Sequence, residues 1–168
     1  MSDPQVSLSE RLASAYRRLA VSAEVLNAAS DEFTRPILDL EAALQGLNLG
    51  LTTWQKVVGG ADDHDNFWRR EVGYARTDGK WGLVIRAISG NHNVPDDDYD
   101  VEQWPFSDAP RSYRIEALDK LPDLLEELIK NSEKTTKKLK EKTVEARQLA
   151  AALGQAASEL KPQRKERR

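Results

Sequence analysis

The chain has 168 residues and no cysteine; it is 39% hydrophobic and 32% charged, which suits one folding unit and carries more charge than a compact enzyme. Disulfide staples, thiolate metal centres and cysteine nucleophiles are excluded. The net charge of −3 conceals an asymmetry: residues 1–47 hold 4 basic and 7 acidic side chains, 48–110 hold 6 and 11, and 111–168 hold 15 and 10.

Ser7-Leu8-Ser9-Glu10 fits a capping box and predicts a helix over 7–47. Within it Leu12, Tyr16, Leu19, Ala23, Leu26, Ser30, Phe33, Ile37, Leu40, Leu44 and Leu47 recur with alternating four- and three-residue spacing, a heptad seam. Pro36 removes one backbone donor inside this run, but the seam keeps phase across it. A kinked, continuous helix is expected, with a break at Thr34 or Arg35 as the alternative.

The character changes over 48–110, where most of the aromatics and glycines gather. Trp68–Arg76 and Trp81–Ile88 read as strands joined at Asp78-Gly79, a pair that accepts the positive φ values of a type I′ hairpin. Leu49–Val58 predicts a third strand, since a lone hairpin is marginal in water. The stretch 90–110, with Asp96, Asp97, Asp98, Asp100 and Glu102, reads as a long acidic loop.

From 111 to 160 helices return. Pro122 suits a first helical turn, so a short helix is expected before it. A second seam follows through Leu118, Leu121, Leu125, Leu128, Ser132, Thr135, Leu139, Lys142, Ala146, Leu149, Leu153, Ala156 and Leu160, with polar residues weakening its middle. Residues 161–168 read as a disordered basic tail.

The expected fold is therefore α+β, predominantly α, in one domain. Two long antiparallel heptad-patterned helices form a coiled-coil-like hairpin flanking an antiparallel β head of two to three strands. Leu19, Leu26, Phe33 and Leu40 are expected to pack against Leu125, Leu139 and Leu153.

Chemistry is thinly supplied. Asp62-Asp63-His64-Asp65 offers carboxylates and an imidazole to a divalent ion, yet adjacent loop residues rarely converge on one centre, and a solvated turn is expected. Asp96–Glu102 lacks the order of a calcium loop. His64 and His92 fall in loops without a nucleophile elbow, and Val58-Gly59-Gly60 leads into no phosphate-binding motif. No cofactor, metal or catalytic residue is expected, with a metal-dependent hydrolase as the remote alternative.

The expected function is that of a non-enzymatic interaction or scaffolding protein, assembling through its helices into a homo-oligomer such as a dimer and presenting the head to a protein partner. Trp104, Phe106 and Trp54 are the contact residues expected, the first two flanking Pro105 after the acidic loop. The alternative is a nucleic-acid accessory protein using Lys134, Lys137, Lys138, Lys140, Arg164, Lys165, Arg167 and Arg168. No leader and no membrane span are read, so the cytoplasm is the expected location.

Overall fold

The computed structural model describes residues 7–95 and 99–159. Helix α1 spans Leu8–Gly46, strands β1 to β4 span Thr53–Ala61, Asn66–Thr77, Lys80–Asn91 and Asp100–Pro105, and helices α2 and α3 span Arg111–Leu118 and Leu121–Glu159. A 3-10 turn at Phe106–Asp108 joins β4 to α2. The strands form one antiparallel sheet in the order β1-β2-β3-β4.

Local chemistry sets the element ends. The Ser7 N–H donates to Glu10 Oε2 at 3.0 Å while Glu10 N–H donates to Ser7 Oγ at 3.3 Å, so both halves of the capping box form. Pro36 lies inside an unbroken α1 on its exposed side, where the carbonyl that its ring leaves without a donor can reach water. Asp78 and Gly79 take φ values of 50° and 82°, and Thr77 pairs with Lys80, which is the two-residue primed turn. Pro122 occupies the first turn of α3.

One face of the sheet is covered by helices. Thr53, Gln55, Val72, Tyr74, Leu83, Ile85 and Trp104 share that face through the strand register. They meet Ile37 and Leu44 of α1, Phe106, Ala117 of α2, and Leu121, Leu124 and Leu128 of α3 in a single core. Polar ties fix the docking: Tyr74 Oη donates to the Leu44 carbonyl at 3.4 Å, Asn131 Nδ2 to Thr53 Oγ1 at 3.0 Å, and Gln55 Nε2 to the Asp123 carbonyl at 3.2 Å.

The expected hairpin of two helices flanking two or three strands is overturned by three helices packed on four strands. The fourth strand, β4, lies inside the stretch read as acidic loop; its Asp100 and Glu102 suit an edge strand whose outer side meets water, and Pro105 closes it. The paired seams are overturned as well. Along α1, Asn27, Ser30 and Thr34 hydrogen-bond Arg111 and Arg114 of α2, while Leu44 and Leu47 line a groove with Leu125 and Leu128 of α3. Partners along α1 thus follow in the same order as those along α2 and α3. The two long helices cross the sheet in the same sense, so the free half of α1 and the free half of α3 leave at opposite ends. Leu12 and Leu19 are 70% and 65% exposed, and Leu139 and Leu153 are 63% and 72% exposed. Among the described residues, no helix is long and apolar enough to cross a membrane.

Candidate interaction surfaces

Three surfaces stand out: the uncovered sheet face, an apolar groove where α1 ends, and the two bare helical arms.

On the uncovered face, register places Lys56, Glu71, Arg86 and Gln103 in one cross-strand row, with Trp54, Gly73, Val84 and Pro105 beside it. Arg86 donates through Nε to Glu71 Oε2 at 2.6 Å, and its Nη2 lies 2.6 Å from the same oxygen. Arg69 Nε sits 2.9 Å from Glu71 Oε1, an ionic contact that is off-line for a hydrogen bond. The Glu71 side chain is only 11% exposed. Two arginines on one carboxylate leave a net positive charge, which the exposed Lys56 increases.

Rings bracket this ionic row. The Arg86 guanidinium lies 3.8 Å above the Trp54 ring, and Trp54 fits there because Gly73 opposite it has no Cβ; any side chain at Gly73 would overlap the indole. At the other end Arg69 lies 5.5 Å from the Phe67 ring centre, and Phe67 stacks on His92 at 4.6 Å. The face presents held guanidinium groups between aromatic planes, an arrangement suited to a flat or anionic partner surface.

The turn above this face is knitted by local bonds. Asp62 accepts from the His64 and Asn66 amides at 2.9 Å and 3.0 Å and from Asn66 Nδ2 at 3.0 Å. Those bonds, led by that of the Asn66 side chain, hold the Asp62 carboxyl below its ordinary range. Its lone pairs serve an Asx turn. Among the described residues no group of three or more His, Asp or Glu is placed to hold a metal ion.

At the opposite end the first residues of β3, paired with β2 on one side, have no strand beside them on the β4 side, and α1 closes that edge. Gln45 Nε2 donates to the Trp81 carbonyl at 2.6 Å, and the Leu83 amide donates to Glu41. Burial raises the Glu41 carboxyl above its usual value, opposed by that amide. Burial and the nearby Glu41 charge also push the Tyr74 hydroxyl up.

The groove beside α1 has a volume of about 360 Å³ and is lined by Leu44, Leu47, Leu49, Leu125, Leu128 and Ile129, among others. Beyond it, α3 carries Lys134, Lys137, Lys138 and Lys140 on exposed turns, none of them in an ion pair among the described residues.

The expected contact residues land in different places. Trp54 sits half-buried on the uncovered face under Arg86. Trp104 is half-buried on the helix-covered face, edge-on to Tyr113 at 5.9 Å. Phe106 is 1% exposed and belongs to the core, which corrects its reading as an exposed contact: the 3-10 turn swings it under the helices. Arg164, Lys165, Arg167 and Arg168, with the rest of the basic tail, lie outside the described residues, as do Asp96, Asp97 and Asp98. Strand alternation in the sequence sets Arg69, Glu71 and Arg86 on one wet face of the hairpin; their closure into one ionic cluster was not read there. A signal existed: the acid sits two residues from Arg69 on an alternating strand, and the hairpin register set by Asp78-Gly79 places Arg86 directly opposite.

No family model, curated protein or solved structure matches the chain.

Proposed function

We propose that the chain is a cytoplasmic, non-enzymatic assembly protein that pairs with a second copy through its helical arms and presents the uncovered sheet face to a protein partner. The observation carrying this reading is the pair of heptad seams that leave the head at opposite ends with their leucines in water. Exposed apolar stripes at heptad spacing are costly to leave solvated, and knobs-into-holes pairing is how such stripes are buried. Because the arms diverge, a seam from another copy is the nearest complement of the right period.

The head then contributes specificity. Held arginines and aromatic planes on a rigid sheet lose little side-chain freedom when a partner docks. The test is sedimentation velocity on the wild type and on a Leu12→Asp, Leu19→Asp double variant. The wild type should sediment as a dimer and the variant as a monomer with an unchanged melting transition of the head; identical sedimentation of the two would sink the proposal.

A second reading has one observation behind it. The four exposed lysines of α3 without carboxylate partners would suit a polyanion. It requires affinity for duplex DNA that falls steeply with salt and drops when Lys134 and Lys138 are changed to Gln. No salt dependence would remove it.

A further inference from the structure

Charge is sorted across the sheet. The strands carry six basic and three acidic side chains, and their register divides them by face. Arg70, Arg76, Asp100 and Glu102 fall on the helix side, two of each sign, whereas Lys56, Arg69, Lys80 and Arg86 share the uncovered side with Glu71 alone. Residues 48–110 hold more acid than base, and the uncovered face inverts that balance.

Three of those cations surround the one carboxylate. Lys56 and Arg86 stand directly opposite Glu71 on β1 and β3, and Arg69 precedes it by two residues on β2. Diagonal neighbours on a sheet lie roughly 7–8 Å apart, which sets Arg69 at that spacing from both of the others. Glu71 engages Arg86 through Nε and Nη2 and Arg69 through Nε. Among the described residues, Arg69 Nη1 and Nη2 and Arg86 Nη1 donate to no protein atom, and none of the three is buried: the buried nitrogens without a partner are the Nε atoms of Arg69 and Arg114. Lys56 is exposed and forms no ion pair among the described residues. Guanidinium groups fixed at one end on Glu71 thus keep open donors at the other, and the patch carries positive charge that the fold does not neutralise.

On the reading of the uncovered face as the partner-binding surface, we propose that this patch takes an extended acidic segment of the partner protein, its carboxylates on Arg69, Arg86 and Lys56. Acidic side chains two residues apart on an extended chain are separated by roughly 7 Å on one side, which matches the diagonal spacing of the cations. A guanidinium fork takes a carboxylate through parallel charge-assisted bonds. Single-stranded nucleic acid would instead need open ring faces on which to stack its bases. The two rings seated among these cations offer none: Trp54 lies between Gly73 and the Arg86 guanidinium, and Phe67 is 7% exposed and stacked on His92.

The probe is hexaglutamate, which self-repulsion keeps extended at neutral pH. It is titrated into the full chain and followed by the NMR signals of the Trp54 indole and of the Arg69 and Arg86 Nε–H groups, with hexathymidylate as the comparison. Hexaglutamate should saturate, move those three signals and weaken as salt is raised. Lys56→Glu, which reverses one exposed charge at the rim, should lower its affinity at least about tenfold. Shifts confined to Lys134, Lys137, Lys138 and Lys140 of α3, equal affinity for wild type and Lys56→Glu, or tighter binding of hexathymidylate at the same three groups overturns the proposal. The wild-type shifts and the hexathymidylate comparison decide the matter even if Lys56→Glu disturbs the fold. Sedimentation of the same sample reports the pairing of copies separately: a monomer that binds hexaglutamate at these groups removes the assembly and keeps this site, and a dimer that does not bind it removes this site alone.

Discussion

One helix, α1, shows two fates for one sequence pattern. Its second half places Ile37 and Leu44 in the core, whereas its first half leaves Leu12 and Leu19 in water although both halves share one heptad phase. The same contrast divides α3, with Leu121, Leu124 and Leu128 buried and Leu139 and Leu153 exposed. Periodicity states that a helix has an apolar face; what covers that face is decided by the path of the rest of the chain. Here the sheet covers one half of each long helix, and nothing among the described residues covers the other.

The sharpest way to break this contrast is a pair of truncations. Phe106→Ala removes a fully buried ring and should cost about 3–5 kcal/mol in urea unfolding. Leu153→Ala in the bare arm should cost less than about 0.5 kcal/mol under dilute, monomeric conditions. Equal costs would mean that the arm is already packed within the chain.

A middle-sized effect is expected on the uncovered face. Glu71→Gln leaves Arg69 and Arg86 without their anion and should destabilise the head by roughly 1–3 kcal/mol, below the figure for a fully buried pair because both arginines keep some water. The Trp54 fluorescence environment should change with it, since Arg86 is no longer held above the indole. An unchanged melting midpoint would show that the ionic row contributes nothing to the head.

The smallest effect is a pH dependence at the free edge of β3. Because the folded Glu41 pKa is raised above its unfolded value, the folded state binds the extra proton, and stability falls as pH rises through the folded pKa. Glu41→Gln keeps an acceptor for the Leu83 amide and removes that charge. The variant should gain on the wild type as pH rises through the upper carboxylate range and match it below the ordinary glutamate value; parallel stability curves would contradict this.

Much of the local structure was legible because it is written in neighbouring residues. The Ser7 and Glu10 cap, the Asp78-Gly79 turn, the continuity of α1 through Pro36 and the start of α3 at Pro122 each depend on chemistry within a few positions. Strand β4 was not legible, since Asp100-Val101-Glu102 carries the charge of a loop and becomes a strand only because β3 offers an open edge. The burial of Phe106 and the isolation of Arg114 are likewise products of tertiary packing. Arg114 becomes unusual only when Ser30 and Thr34, 84 and 80 positions away, turn out to be its partners in place of an acid.

The bare arms are proposed to be halves of an interface between copies. Light scattering combined with small-angle X-ray scattering on the purified wild-type chain tests it most directly. The expected result is an elongated particle of twice 18.9 kDa that dissociates on dilution. A particle of 18.9 kDa at every concentration reached would contradict it, and the exposed seams would then need another explanation.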